Sequence, residues 1–80
     1  MIEITLYTKE GCHLCDHVKV DLATLKAAHP HFNYRLHEID ITQNDDLFKR
    51  YRYTIPVLKI GSKTLTAPID ILQLKNALNL

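Results

Sequence analysis

The chain has 80 residues, enough for one small domain and too few for a second, so we expect a single domain over residues 1–80. A composition of 46% hydrophobic and 24% charged residues is that of a folded globular protein and excludes a disordered segment. Ten Lys and Arg residues balance nine Asp and Glu residues without a dense basic block, so nucleic acid is not an expected partner.

The first half of the chain has the patterns of a strand, a helix and a second strand. Apolar residues alternate with others over residues 2–7, which predicts a strand that stops at the loop 8–11. From Leu14 onward, apolar residues recur at helical spacing, which predicts a helix that ends before His29. A second strand is predicted at about 33–41. Its apolar alternation changes phase, so it contains a bulge or has two apolar faces.

The second half predicts a helix, a hairpin and a last helix. N-cap residues with early acidic and late basic side chains predict a short helix over 44–52. Two short runs, at 57–60 and 63–66, flank a two-residue turn and predict a hairpin. Asp70 can cap the last helix. The order is βαβαββα, an α/β thioredoxin-like plan in which three helices flank a four-stranded mixed sheet.

No signal peptide or membrane span is predicted. The N-terminus lacks a basic start with a long apolar stretch, and no window approaches the roughly 20 apolar residues of a membrane-spanning helix. We therefore expect a cytoplasmic protein without a membrane partner. In a reducing compartment, a lone C-x-x-C pair is more often catalytic or metal-binding than a structural staple.

The only two cysteines, Cys12 and Cys15, follow the first strand at the start of the first helix. A helix N-terminus stabilises the thiolate that attacks disulfides, so Cys12 is the candidate nucleophile. Cys15 lies three residues later on the same helical face, and a disulfide between the two sulfurs is geometrically feasible. Cys15 is therefore the candidate resolving thiol.

Three segments, residues 6–15, 39–41 and 54–58, resemble glutaredoxins in order and spacing, and most of all the short glutaredoxin-like proteins of uncertain physiological role. The resemblance covers nearly the whole chain and implies a minimal glutaredoxin-type fold. It also implies a monomeric thiol/disulfide oxidoreductase that acts on protein or small-molecule disulfides, with no bound prosthetic group and with glutathione as a possible cosubstrate.

The resemblance also assigns a substrate-binding loop, Thr54, Ile55 and Pro56. In glutaredoxins this proline is cis and faces the active-site cysteines, so Ile55 would offer its backbone N–H and C=O to an extended substrate. An ordinary trans proline at the start of a strand is the alternative. Lys9 and His13 are candidate tuning residues, because a cation near Cys12 stabilises the thiolate. For His13, a solvated side chain without a role is an equal alternative.

The glutathione site is where the sequence departs from the glutaredoxin pattern. Thr66 and Ala67 replace two glycines, which limits close approach to the backbone, and Pro68 removes an N–H donor. Asp70 either binds substrate, as in the family, or only caps the last helix, and we favour the cap. Glutathione dependence therefore remains open.

Two other classes of function remain as alternatives. One is a non-catalytic module that docks a peptide in the groove beside Pro56. The other is a metal or iron–sulfur carrier, for which His13 and His17 could join the two cysteines, although the chain has no second C-x-x-C pair.

Overall fold

Four strands form a single sheet with the spatial order β2-β1-β3-β4 in the computed structural model, which describes all residues from 1 to 80. β1 pairs in parallel with β2 and antiparallel with β3, and β3 pairs antiparallel with β4. The predicted βαβαββα order and mixed sheet are therefore confirmed. The elements are β1 (Ile2–Thr8), α1 (His13–Ala28), β2 (Tyr34–Asp40), α2 (Asp45–Tyr51), β3 (Val57–Ile60), β4 (Lys63–Thr66) and α3 (Ile71–Leu78).

One face of the sheet carries the main core. Alternation along β1 and β3 directs apolar side chains to this face, where they pack against the apolar stripes of α1 and α3. Burial of this surface is the main force that stabilises a domain of this size. The ten buried residues of the core are Ile4, Leu6, Val18, Leu22, Leu25, Phe32, Leu58, Ile60, Leu74 and Leu78.

The opposite face is only partly covered. Tyr7 follows the buried Leu6 in β1 and therefore points to this face, where its ring lies 4.7 Å from that of Tyr51 in α2. Toward the beginning of β1 the same face is open to solvent. There Arg35 and His37 of β2 both contact the Glu3 carboxylate. The hydrogen bond with His37 is the main cause that lowers the pKa of Glu3.

The second strand and helix differ slightly from the predicted bounds. The β1–β2 register is continuous to Asp40, so the change of phase reflects two partly apolar faces and not a bulge. A single 3₁₀ turn, Ile41–Gln43, then separates β2 from α2. It begins where the Asp40 carboxylate accepts hydrogen bonds from the Thr42 hydroxyl and N–H, which lower the pKa of Asp40. Asn44 caps α2 through its side chain.

Replacing Leu22 by Ala should cost about 2–5 kcal/mol of unfolding free energy, because Leu22 is fully buried between α1 and the sheet and the smaller side chain leaves a cavity. A small domain has only about 3–5 kcal/mol in total, so most of this variant should be unfolded at 25 °C. Urea unfolding followed by circular dichroism measures the change. Val20→Ala, at a position 63% exposed on the same helix, is the control and should change the free energy by less than about 0.5 kcal/mol.

The contacts of Glu3 with Arg35 and His37 should make the free energy of unfolding fall in acid. Because the folded pKa of Glu3 is lowered, its contribution to stability is fully present above the ordinary glutamate pKa of 4.5 and is lost as the pH falls through the lower folded pKa. Urea unfolding from pH 6 to pH 2 should therefore show a smaller acid loss for Glu3→Gln than for the wild type. Glu10→Gln is the control, since Glu10 makes no side-chain hydrogen bond or ion pair. An identical acid loss in all three proteins would contradict the prediction.

Candidate active site

The loop between β1 and α1 places Cys12 at the N-cap of α1. Gly11 has a φ of +82°, a conformation that L side chains rarely adopt, and the Cys12 N–H donates to the Lys9 carbonyl at 3.3 Å. The backbone of Cys12 is extended, and its sulfur accepts the Cys15 N–H at 3.2 Å. The sulfur thus occupies the position of the oxygen in a usual N-cap and lies at the positive end of the helix.

The two cysteines form a disulfide, with 5.3 Å between their Cα atoms. Their surroundings differ. Cys15 is fully buried, while Cys12 is half-buried at the surface. Helix α1 begins at His13, one residue before the apolar pattern that predicts it. Cys15 is therefore in the first turn of the helix, with its side chain buried. The pair is therefore a redox-capable centre with one accessible and one inaccessible sulfur.

Pro56 lies at the same end of the sheet as the cysteines. It immediately precedes β3, whose first residue, Val57, pairs with Tyr7 near the end of β1. The Ile55–Pro56 bond is cis, in agreement with the glutaredoxin resemblance, and Pro56 is buried. Thr54, which belongs to the same predicted substrate-binding loop, is exposed.

The predicted role of Ile55 needs a correction. Its N–H donates to the Tyr51 carbonyl at 3.1 Å, and the Thr54 N–H donates to the same carbonyl at 2.9 Å. The N–H that was expected to pair with an extended substrate is therefore already used to end α2. The Ile55 carbonyl accepts no hydrogen bond within the chain. Only half of the expected backbone pair is free, because the turn after α2 takes the other half.

A groove of about 290 Å³ connects Pro56 with the beginning of α3 and with the exposed side of α1. Sequence reasoning missed its α1 wall, which consists of Leu14, His17 and Asp21. Leu14 begins the apolar spacing that predicts α1, but it is 57% exposed and lines the groove. The spacing of three and four between these residues indicates a shared helical face and could have revealed the wall.

Asp70 both caps α3 and lines the groove. Its carboxylate accepts the Gln73 N–H at 2.8 Å, and the Gln73 side chain accepts the Asp70 N–H at 2.9 Å. This reciprocal capping box confirms the favoured prediction of a cap. Ala67 and Pro68 line the same groove, whereas Thr66 lies within β4, paired with Val57.

The two candidate tuning residues lie before and after Cys12 in the chain. His13 is exposed at the first position of α1, and Lys9 is exposed in the preceding loop. Neither side chain makes a hydrogen bond or ion pair within the chain. Lys9 shares a second hollow, beside the loop 9–12, with Lys19. The hydrogen bond from Lys19 to Glu38 at 3.0 Å is the main cause that raises the pKa of Lys19.

No three His, Cys, Asp or Glu side chains converge in a way that could hold a metal ion. In particular, His13 and His17 do not complete a ligand set with the two cysteines. No helix of the structure combines the length and apolar character required to cross a bilayer.

The model of the glutaredoxin-like domain family (DUF836) matches residues 3–79, almost the entire chain. The chain belongs to this glutaredoxin-like family. Two solved structures of similar size support the assignment. The protein XcR50 from X. campestris is 28% identical, with a TM-score of 0.78 and 95% of each chain covered. The protein Ne2328 from Nitrosomonas europaea is 27% identical, with a TM-score of 0.74 and coverage of 94% of this chain and 88% of the other.

The fold extends beyond the glutaredoxin-like family. Mitochondrial thioredoxin 3 from Saccharomyces cerevisiae, in its oxidised form, has a TM-score of 0.62 at 17% identity, with coverage of 98% of this chain and 76% of the other. At this identity the likeness shows the thioredoxin-like fold alone. Together with the Cys12–Cys15 disulfide, the fold of this glutaredoxin-like protein points to a redox function.

Two substitutions separate the structural role of Asp70 from any role of its charge. Asp70→Ala removes the cap and should lower the unfolding free energy by about 1 kcal/mol. Asp70→Asn should keep most of the stability, because Asn caps helices about as well as Asp. Urea unfolding at pH 7 measures both variants. A loss as large for Asn as for Ala would show that the charge, and not the capping hydrogen bond, stabilises α3.

Proposed function

We propose that this glutaredoxin-like protein is a thiol/disulfide oxidoreductase in which Cys12 is the nucleophile and Cys15 is the resolving thiol. The observation that carries the proposal is the difference in exposure between two bonded sulfurs. An incoming thiolate or disulfide can reach Cys12 at the surface, while the fully buried Cys15 can react only with Cys12. Such an arrangement fixes the order of the two exchange steps.

In the reducing direction, the Cys12 thiolate attacks one sulfur of a substrate disulfide. A mixed disulfide forms with Cys12, and the other substrate sulfur leaves as a thiolate that takes up a proton. Cys15 then loses its proton and attacks the Cys12 sulfur, which forms the intramolecular disulfide and releases the second substrate thiol. The substrate gains two electrons and two protons, and the protein dithiol loses them. Two molecules of a thiol such as glutathione, or one dithiol protein, would return the disulfide to the dithiol and would themselves be oxidised to a disulfide.

The start of α1 supports the first step. In the reduced protein, the Cys15 N–H and the positive end of the helix would stabilise negative charge on the Cys12 sulfur. We expect this environment to lower the Cys12 pKa below the free-cysteine value of about 8.5. Lys9 and His13 would add positive potential from either side, as the proposed tuning residues.

The groove beside Pro56 would receive the substrate. Pro56 lines this groove. The proposed docking loop, Thr54, Ile55 and Pro56, would offer the free carbonyl of Ile55 to one hydrogen bond from an extended chain. Glutathione is a proposed cosubstrate whose contacts would differ from those of typical glutaredoxins. Thr66 and Ala67 take the place of the two glycines there. We propose that the protein acts as a monomer in the cytoplasm, without a bound prosthetic group.

Replacement of the resolving thiol should trap the intermediate. When reduced Cys15→Ser protein reacts with a disulfide such as 2-hydroxyethyl disulfide, a single mixed disulfide should accumulate on Cys12, because no second thiol can displace it. Intact-mass spectrometry and peptide mapping identify the adduct and its position. Turnover with dithiothreitol as the reductant should fall at least tenfold.

Cys12→Ser is the matched control, because it retains Cys15 and removes the accessible sulfur. It should form no adduct over the same period and should show no turnover. An adduct on Cys15 in this variant, or equal adduct formation by both variants, would contradict the assigned order. Unchanged turnover in Cys12→Ser would support a non-catalytic binding module instead.

A further inference from the structure

Six of the chain's nine acidic residues line the two hollows next to the cysteine segment. Two acidic residues, Asp21 and Asp70, line the groove at Pro56. Only two of the ten basic residues, Lys9 and Lys19, line either hollow, although the chain as a whole has a formal charge of +1. The hollow beside the loop 9–12 contains four more of the nine acidic residues, namely Glu10, Asp16, Glu38 and Asp40.

The groove at Pro56 is the less neutralised of the two. In the other hollow, Lys19 forms ion pairs with Asp16 at 3.5 Å and Glu38 at 3.0 Å. In the groove, neither Asp21 nor Asp70 forms an ion pair, and no Lys or Arg side chain lines the wall. The only other titratable lining group is His17.

This groove begins at the segment that carries the two cysteines. Leu14, which lies between the two cysteines in sequence, forms one wall, and Pro56 forms another. Groups attached to a sulfur that reacts with Cys12 would therefore approach a groove whose wall carries two carboxylates without an ion pair. Water weakens the attraction between these carboxylates and a charged substrate, but the attraction still changes the rate at which the two meet.

Resting on the function proposed above, we propose that the site prefers disulfides with positive charge beside the sulfur, and that Asp21 and Asp70 confer this preference. The class includes small aminoalkyl disulfides and peptide disulfides flanked by Lys or Arg. Disulfides with only negative charge beside the sulfur belong to the disfavoured class. The chemical step is unchanged: Cys12 exchanges with the substrate sulfur, and Cys15 completes the two-electron transfer.

Two pairs of substrates test the preference. The small pair is cystamine and 3,3′-dithiodipropionic acid, and the peptide pair is the disulfide-linked dimers of Lys-Cys-Lys and Glu-Cys-Glu. The rate with reduced protein is measured at pH 7 in low salt, and each rate is divided by that of dithiothreitol with the same disulfide. This division removes differences in intrinsic reactivity. The normalised rate should be about tenfold higher for the cationic member, and salt at 0.5 M should abolish most of the difference.

The variants assign the preference to its residues. Asp21→Asn and Asp70→Asn should each reduce the cationic-to-anionic ratio about threefold, the scale of one exposed charge pair. Glu3→Gln removes the same charge at the other end of β1, about 17 Å from Thr8, and should leave the ratio unchanged. A cooperative unfolding transition in urea shows that each variant is folded at the start of the experiment.

A cationic preference in either pair that falls in the Asn variants supports the proposal, and the pair with the larger preference identifies the small or the peptide substrate. No preference in both pairs, or a preference that survives in the double Asn variant, would overturn it. Failure of the proposed redox function would look different, because the reduced protein would then react with none of the four disulfides.

Discussion

The site depends on one constraint, the position of the Cys12 sulfur at the first turn of α1. The chain reaches this position because β1 ends at Thr8 and Gly11 permits the turn that leads into the helix. Once Cys12 is the N-cap, the Cys15 N–H donates to its sulfur, and Cys15 itself lies beneath the turn. The antiparallel pairing of β3 with β1 then brings Pro56 to the same end of the sheet.

The two cysteines show how burial can distinguish chemically identical groups. Cys15 packs as a small hydrophobe, and a thiol in apolar surroundings is held in its neutral form. Cys12 meets solvent and the positive end of a helix, which favour the thiolate. Opening the disulfide would leave Cys15 as a fully buried thiol.

Periodicity predicted the elements well because burial imposes it. The alternation in β1 and the spacing in α1 both reflect contact with one core, and the capping role of Asp70 follows from its position before an apolar helix. Contacts made by single backbone groups could not be predicted. The Ile55 N–H turned out to close the end of α2, and Leu14 turned out to face the groove. Both contacts depend on how the chain packs around α2 and α3, and a local sequence pattern does not predict that packing.

The disulfide and the acidic residues of the groove are held by different interactions. The disulfide and the first turn of α1 are constrained by packing and backbone hydrogen bonds. The charges of the groove belong to side chains that project from α1 and α3 and carry little of the core. Asp21 can therefore change without disturbing the Cys12 sulfur, and Asp70 can change if the new side chain still caps α3. The fold thus allows the charge of the groove to change while the geometry of the disulfide is retained.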